Sequence, residues 1–132
     1  MKKINSQYSN IRNQNKNEIL EDYVEAIQEI SEIKGDIKNA DLSIHFGVSQ
    51  ATINKNLKIL ISSKLATSEP YRSIFLTDKG KKLAAISKEK HEIVYKFLIK
   101  LGVSKKTAQY DSEGIEHHVS DETLKLMKNF SK

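Results

Sequence analysis

From residue 19 onward the apolar positions fall on a helical stripe. Ile19, Leu20, Tyr23, Ile27 and Ile30 recur with the 3.6-residue period of an amphipathic helix that starts near Glu18 and is stopped by Gly35. A short helix is expected from about Ala40 to Phe46, then a break at Gly47-Val48-Ser49. A further helix runs from about Gln50 to Ser62 with Ile53, Leu57 and Leu60 facing inward. Residues 64–69 and 73–76 have the look of two short strands around a turn-prone tip, Pro70-Tyr71-Arg72. Thr77 or Asp78 can cap a long helix carrying Leu83, Val94, Phe97, Leu98 and Leu101, which Gly102 ends. Ser104 caps a helix reaching about Val119, and Ser120 caps a last one through Phe130. Residues 1–17 are rich in Asn, Gln, Ser and Lys and show no apolar period, so they are expected to form a flexible arm. The pattern predicts a mainly α fold with one small β-hairpin. Its divisions are the arm, a domain over residues 18–77 and a second over 78–132.

Within that pattern, residues 39–60 (NADLSIHFGVSQATINKNLKIL) meet the needs of a helix-turn-helix. Ser43 is small where the two helices touch. Gly47 tolerates unusual backbone angles in the turn, and Leu42, Phe46, Val48, Ile53 and Leu57 are the apolar plugs. The second helix offers Ser49, Gln50, Thr52, Asn54, Lys55 and Lys58 outward, types that read base edges and neutralise phosphates. The hairpin that follows is placed as a wing, with Arg72 able to reach a groove or the backbone.

Composition narrows the rest. The chain has 132 residues, 38% hydrophobic and 30% charged, with a net charge of +5. This is the profile of a globular chain, and its basic balance points to an anionic partner such as nucleic acid, the plainer alternative being a generally lysine-rich proteome. No apolar run approaches ~20 residues, so no membrane span is expected, and the lysines at the start are followed by no apolar stretch of a secretory signal. With no cysteine, any metal must be held by oxygen and imidazole nitrogen.

Two acidic clusters invite such a metal. Asp22 and Glu25 stand three apart in the first helix and project from one face. In EGIEHH, Glu113, Glu116 and His117 stand at i, i+3 and i+4, so a helix would align all three. Their like charges repel, and a divalent cation turns that repulsion into binding; the plainer alternative is a solvated acidic patch. Four carboxylates suffice for two ions with shared bridges. Carboxylate and imidazole without sulfur suit Mn²⁺ and also Fe²⁺ better than a structural zinc site. His118 points about 100° away from His117 on a helix and is assigned a supporting role.

Five segments, LEDYVEAI, FGVSQATINKNLKIL, IFLTDKGKKLA, KHEIVYKFLIKLGVS and DSEGIEHHVSDETL, together resemble the manganese-responsive MntR branch of the DtxR/MntR repressors over about residues 18–127. The resemblance implies a cytoplasmic homodimer that binds double-stranded operator DNA, with an N-terminal winged helix-turn-helix and a C-terminal helical dimerisation domain. It implies no membrane partner, no small organic substrate and no enzymatic activity. It also implies a binuclear Mn²⁺ site, two ions per subunit, whose ligands by position are Asp22, Glu25, His91, Glu113, Glu116 and His117, with Glu25 and Glu116 as bridges. The iron-responsive branch has methionine where this chain has Asp22 and cysteine where it has Glu113, and carries an SH3-like third domain that has no counterpart here. Three other readings compete: a winged-helix regulator sensing a non-metal ligand, an Fe²⁺-responsive member of the same family, and a di-metal carboxylate enzyme. The last lacks paired Glu-x-x-His motifs, and Tyr95 stands where a zincin motif beginning at His91 needs its second histidine.

Overall fold

The computed structural model describes residues 2–68 and 73–132, with side chains from residue 16 onward. The elements in order are α1 (Lys2–Lys34), α2 (Asn39–Phe46), α3 (Gln50–Ser62), β1 (Ala66–Thr67), β2 (Phe75–Leu76), α4 (Asp78–Leu101), α5 (Lys105–Ile115) and α6 (Asp121–Phe130). The chain divides into two compact units. One is Ile19–Ala85; the other joins the residues up to Glu18 with Ile86–Lys132. The boundary between these units falls within α4, at residues 85 and 86.

The unit Ile19–Ala85 is a winged helix. Its core holds Val24, Ile27, Ile37, Leu42, Ile53, Leu57 and Leu60, all buried. Burying an Ile or Leu side chain contributes about 1.5–3 kcal/mol, so this cluster dominates the stability of the unit. The α1 stripe packs as its period demands, with Tyr23 and Ile27 buried and Ile19, Leu20 and Ile30 partly so. Tyr23 stacks on Phe46 at a ring separation of 4.5 Å, and its hydroxyl accepts a hydrogen bond from Asn56 Nδ2 at 2.9 Å. Burial pushes the Tyr23 phenol above its ordinary pKa, against the lowering effect of the Asn56 bond.

Gly47 closes α2 in the left-handed region at φ 65°, which the bare backbone of glycine permits without strain. The Ser43 hydroxyl donates to the Val48 carbonyl across the turn. Val48 itself is exposed, not the buried plug expected of it; its backbone carbonyl takes the Ser43 bond in the turn. Ser49 caps α3 by accepting the Thr52 N–H at 3.2 Å. The hairpin pairs Ala66 with Leu76 and Thr67 with Phe75. It is shorter than the expected strands. Ile74 N–H instead donates to the Ile37 carbonyl at 2.8 Å, tying the hairpin to the loop before α2. Thr77 receives the Gly80 N–H on its Oγ1 at 3.1 Å, opening α4.

The other unit has fewer buried apolar side chains. Among the described residues these are Val94, Ala108 and Leu124. Ser104 and Ser120 cap α5 and α6 as their positions predict, accepting from Thr107 N–H and Thr123 N–H. Helix α1 begins at Lys2, inside the residues 1–17 for which a flexible arm was expected. No Gly or Pro interrupts residues 2–34, so a helix held by the packed stripe propagates toward the N-terminus at low cost per residue. Helix α5 was expected to reach Val119, but it ends at Ile115. The His118 N–H bonds back only three residues to the Ile115 carbonyl, tightening the chain into a turn ahead of the Ser120 cap.

Candidate metal centre and nucleic-acid interface

The metal candidates lie around the end of α5. Glu116 keeps helical angles as the residue that closes α5, and its N–H donates to the Ser112 carbonyl. Its side chain is fully buried and faces two imidazoles: Oε2 is 3.4 Å from His91 Nδ1, and Oε1 is 3.6 Å from His117 Nε2. Glu113, more exposed, brings Oε1 to 3.4 Å from the same His91 nitrogen. His91 comes from α4, which carries it opposite α5 in this unit. Donor atoms of His91, Glu113 and Glu116 all lie within 4.8 Å of one another.

That arrangement fits a divalent ion. Donors about 2.0–2.3 Å from one ion sit up to roughly 4.6 Å apart, close to the spread found here. A carboxylate taken out of water, beside a second carboxylate, is costly without positive charge nearby. A set of oxygens and imidazole nitrogens with no thiolate is that of a hard or borderline cation.

The expectation that Glu113, Glu116 and His117 share one helical face is modified. His91, Glu113 and Glu116 form one close group, while His117, in the turn past α5, lies beside Glu116 and has a ring nitrogen within 4.8 Å of a Glu18 carboxylate oxygen. Asp22 and Glu25 lie on α1, three residues apart and each partly buried, in the unit Ile19–Ala85. Two neighbours escaped the sequence reading. Ser112 Oγ lies 3.4 Å from His91 Nδ1; the available signal was its place one turn before Glu116. Glu18 Oε2 lies 2.9 Å from His118 Nε2, joining residues 100 positions apart. Glu18 precedes Asp22 by one helical turn, but no local pattern announces its partner.

The nucleic-acid candidates form the outer face of α3. Ser49, Gln50, Thr52, Asn54, Lys55 and Lys58 are all exposed. Ser49 and Thr52 are also the helix cap, with their hydroxyl oxygens 3.1 Å apart. Asn54 Oδ1 accepts from Asn39 Nδ2 at the start of α2, which holds the two helices in register. Gln50, Lys55 and Lys58 present the polar and charged ends of this face. Arg72, assigned to the wing tip, lies outside the described residues.

A winged helix with a lysine-bearing outer helix, in a chain that also builds a buried carboxylate–imidazole cluster, defines a DNA-binding regulator with a divalent-metal site. Residues 77–132 match the family described as iron dependent repressor, metal binding and dimerisation domain. The transcriptional regulator MntR of Escherichia coli is 42% identical over 124 residues, spanning 94% of this chain and 80% of that protein. The HTH-type transcriptional regulator MntR of Geobacillus thermodenitrificans is 35% identical over 101 residues, spanning 76% and 72%. The solved structure of the manganese regulator SloR aligns with a TM-score of 0.73 at 28% identity, over 84% of this chain and 52% of SloR. The chain thus spans about half the length of that solved relative. The chain belongs to the MntR branch of the DtxR/MntR family of transcriptional regulators. Membership places it among regulators and not among enzymes. No described helix is long and apolar enough to cross a membrane.

Proposed function

We propose that this chain is a cytoplasmic Mn²⁺-activated repressor of manganese-uptake genes, acting as a homodimer on double-stranded operator DNA. The observation that carries the reading is the buried Glu116 carboxylate set between His91 and His117, with Glu113 beside the same His91 nitrogen. The proposed ligands are Asp22, Glu25, His91, Glu113, Glu116 and His117, holding two ions per subunit with Glu25 and Glu116 as bridges. A bound ion supplies the positive charge that lets these carboxylates stand together. Oxygen donors at Asp22 and Glu113 favour Mn²⁺, whose place in the Irving–Williams order is low and which therefore depends on hard ligands for selection.

Exposed apolar side chains support the dimer. Leu101 is 56%, Leu126 63% and Phe130 51% exposed, in a unit whose buried apolar residues are few. A second copy covering such a surface recovers the burial that one small unit lacks. Each subunit then contributes one α3, and two such helices read major grooves about one DNA turn apart, ~34 Å. Ligands drawn from α1 as well as α4 and α5 make occupancy of the site a constraint on the helix that packs against α3. Linkage requires that operator DNA tighten metal binding by the same factor by which metal tightens DNA binding.

The test is operator binding across a panel of Mn²⁺, Fe²⁺, Co²⁺, Zn²⁺ and Mg²⁺, measured by fluorescence anisotropy on the promoter DNA of a manganese-uptake gene. Affinity should rise most with Mn²⁺ at low micromolar ion. An affinity indifferent to every ion removes the corepressor reading and leaves a winged-helix regulator of another signal. A response to Fe²⁺ at lower concentration than to Mn²⁺ reassigns the chain to iron.

A further inference from the structure

Tyr23 of α1 reaches a polar side chain of α3, Asn56. It stands between Asp22 and Val24 and two residues before Glu25. Its ring is 4% exposed and lies flat on Phe46, the last residue of α2, with an interplanar angle of 12°. Its hydroxyl accepts from Asn56 Nδ2 at 2.9 Å, across 33 residues. Asn56 follows Lys55 directly and precedes Lys58 by two positions on α3. The apolar neighbours Val24, Ile27, Ile53 and Leu57 hold the two helices together through non-directional contacts. Such contacts tolerate sliding and rotation. The Tyr23–Asn56 bond does not, because a hydrogen bond weakens steeply once its distance and angle depart from ideal.

We infer that Tyr23 and Asn56 are positioning residues that couple the ligand-bearing segment of α1 to the recognition helix α3, so that the stance of α1 at Asp22 and Glu25 is read out at Lys55 and Lys58. The Tyr23–Phe46 stack carries the same displacement to α2, which Asn39 ties to Asn54 on α3. This rests on the Mn²⁺-repressor reading and adds to it a specific mechanical link inside the winged helix. Neither residue is proposed to touch the ion or the DNA.

The experiment compares the wild-type chain, Tyr23→Phe, Asn56→Ala and the double variant, each intact. Operator affinity is measured by anisotropy with saturating Mn²⁺ and with the ion removed by chelator. Mn²⁺ affinity of the DNA-free protein is measured by calorimetry. Tyr23→Phe keeps the ring on Phe46 and removes only the acceptor. The ratio of operator affinity with and without Mn²⁺ should fall about 2- to 10-fold, the range expected for one intramolecular hydrogen bond. Mn²⁺ affinity without DNA should stay within about twofold. Asn56→Ala should reproduce the loss, and the double variant should lose no more than either alone. The inference is overturned if the ratio is unchanged, if affinity falls equally with and without Mn²⁺, or if the two losses add. Should Tyr23→Phe melt early in circular dichroism, Asn56→Ala alone carries the comparison. A wild-type ratio near one would instead fail the repressor reading itself, an outcome visible before any variant is made.

Discussion

Glu116 and His91 meet across two helices, with a fully buried carboxylate oxygen 3.4 Å from the imidazole Nδ1. Nearly everything proposed for the metal turns on that approach, so Glu116 is the first position to test. Glu116→Gln keeps the shape and removes the negative charge. Mn²⁺ affinity, read by titration calorimetry, should fall at least as far as the ~10- to 100-fold that loss of a ligand's supporting partner produces elsewhere. Glu116→Ala should also abolish metal-dependent operator binding with the helical circular dichroism retained. Wild-type affinity in Glu116→Gln would exclude this carboxylate from the ligand set.

Lys55 lies exposed on the outer face of α3, while Ile53 and Leu57 on either side are buried. Replacing it with alanine therefore removes a charge and no core contact. Lys55→Ala should weaken operator binding roughly uniformly across DNA sequences, reduce the slope of log affinity against log salt by about 1, and leave Mn²⁺ affinity without DNA unaltered. A salt slope equal to that of the wild type would mean that Lys55 meets no phosphate.

Two helical glycines should respond oppositely to alanine. A Cβ at Gly80 would sit 2.1 Å from the Leu65 carbonyl oxygen, a backbone atom that cannot swing aside. Gly80→Ala should cost about 3 kcal/mol or more by forcing α4 away from the residue that leads into β1. At Gly114 in α5 a Cβ meets nothing within 4 Å, so Gly114→Ala should stabilise by roughly 0.5–1 kcal/mol through backbone entropy. Urea denaturation of both variants checks the signs. Equal effects would show that the close approach at Gly80 is not present in solution.

Asp41 supplies a pH dependence with a definite direction. The Lys34 ammonium, 2.6 Å from Oδ1, and then the Lys38 backbone N–H, 2.9 Å from Oδ2, hold its carboxyl below the usual carboxylate pKa. A folded-state pKa below the unfolded one means that the proton destabilises the fold. The contribution is fully present above the ordinary aspartate pKa of about 3.9 and is lost as the pH falls through the lower folded value. The pair stands near solvent, where screening keeps such a contribution small. Asp41→Asn should be slightly less stable than wild type at pH 7 and equal to it in strong acid. A stability difference that did not change between pH 7 and pH 2.5 would assign the effect to something other than this charge.

Much of this molecule is legible in local pattern. The α1 stripe, the Gly47 turn, the Ser49, Ser104 and Ser120 caps and the inward set Ile53, Leu57 and Leu60 follow from period and capping chemistry, because those are interactions between residues a few positions apart. The acidic clusters were visible for the same reason. The extent of α1 was less so, since an unpatterned polar segment can be helix or coil, and what decides it is the packed helix to which it is attached.

What the residue order determined by itself was the type of each element and the list of groups with metal or phosphate chemistry. What only the tertiary structure decided was which of them meet: His91 with Glu116 over 25 positions, Glu18 with His118 over 100, Tyr23 with Asn56 over 33, and the carbonyl of Leu65 in the space where Gly80 has no side chain. The physical reason is range. Period and caps are set within a turn or two of helix, whereas these contacts are placed by how buried faces pack, and no local rule encodes that.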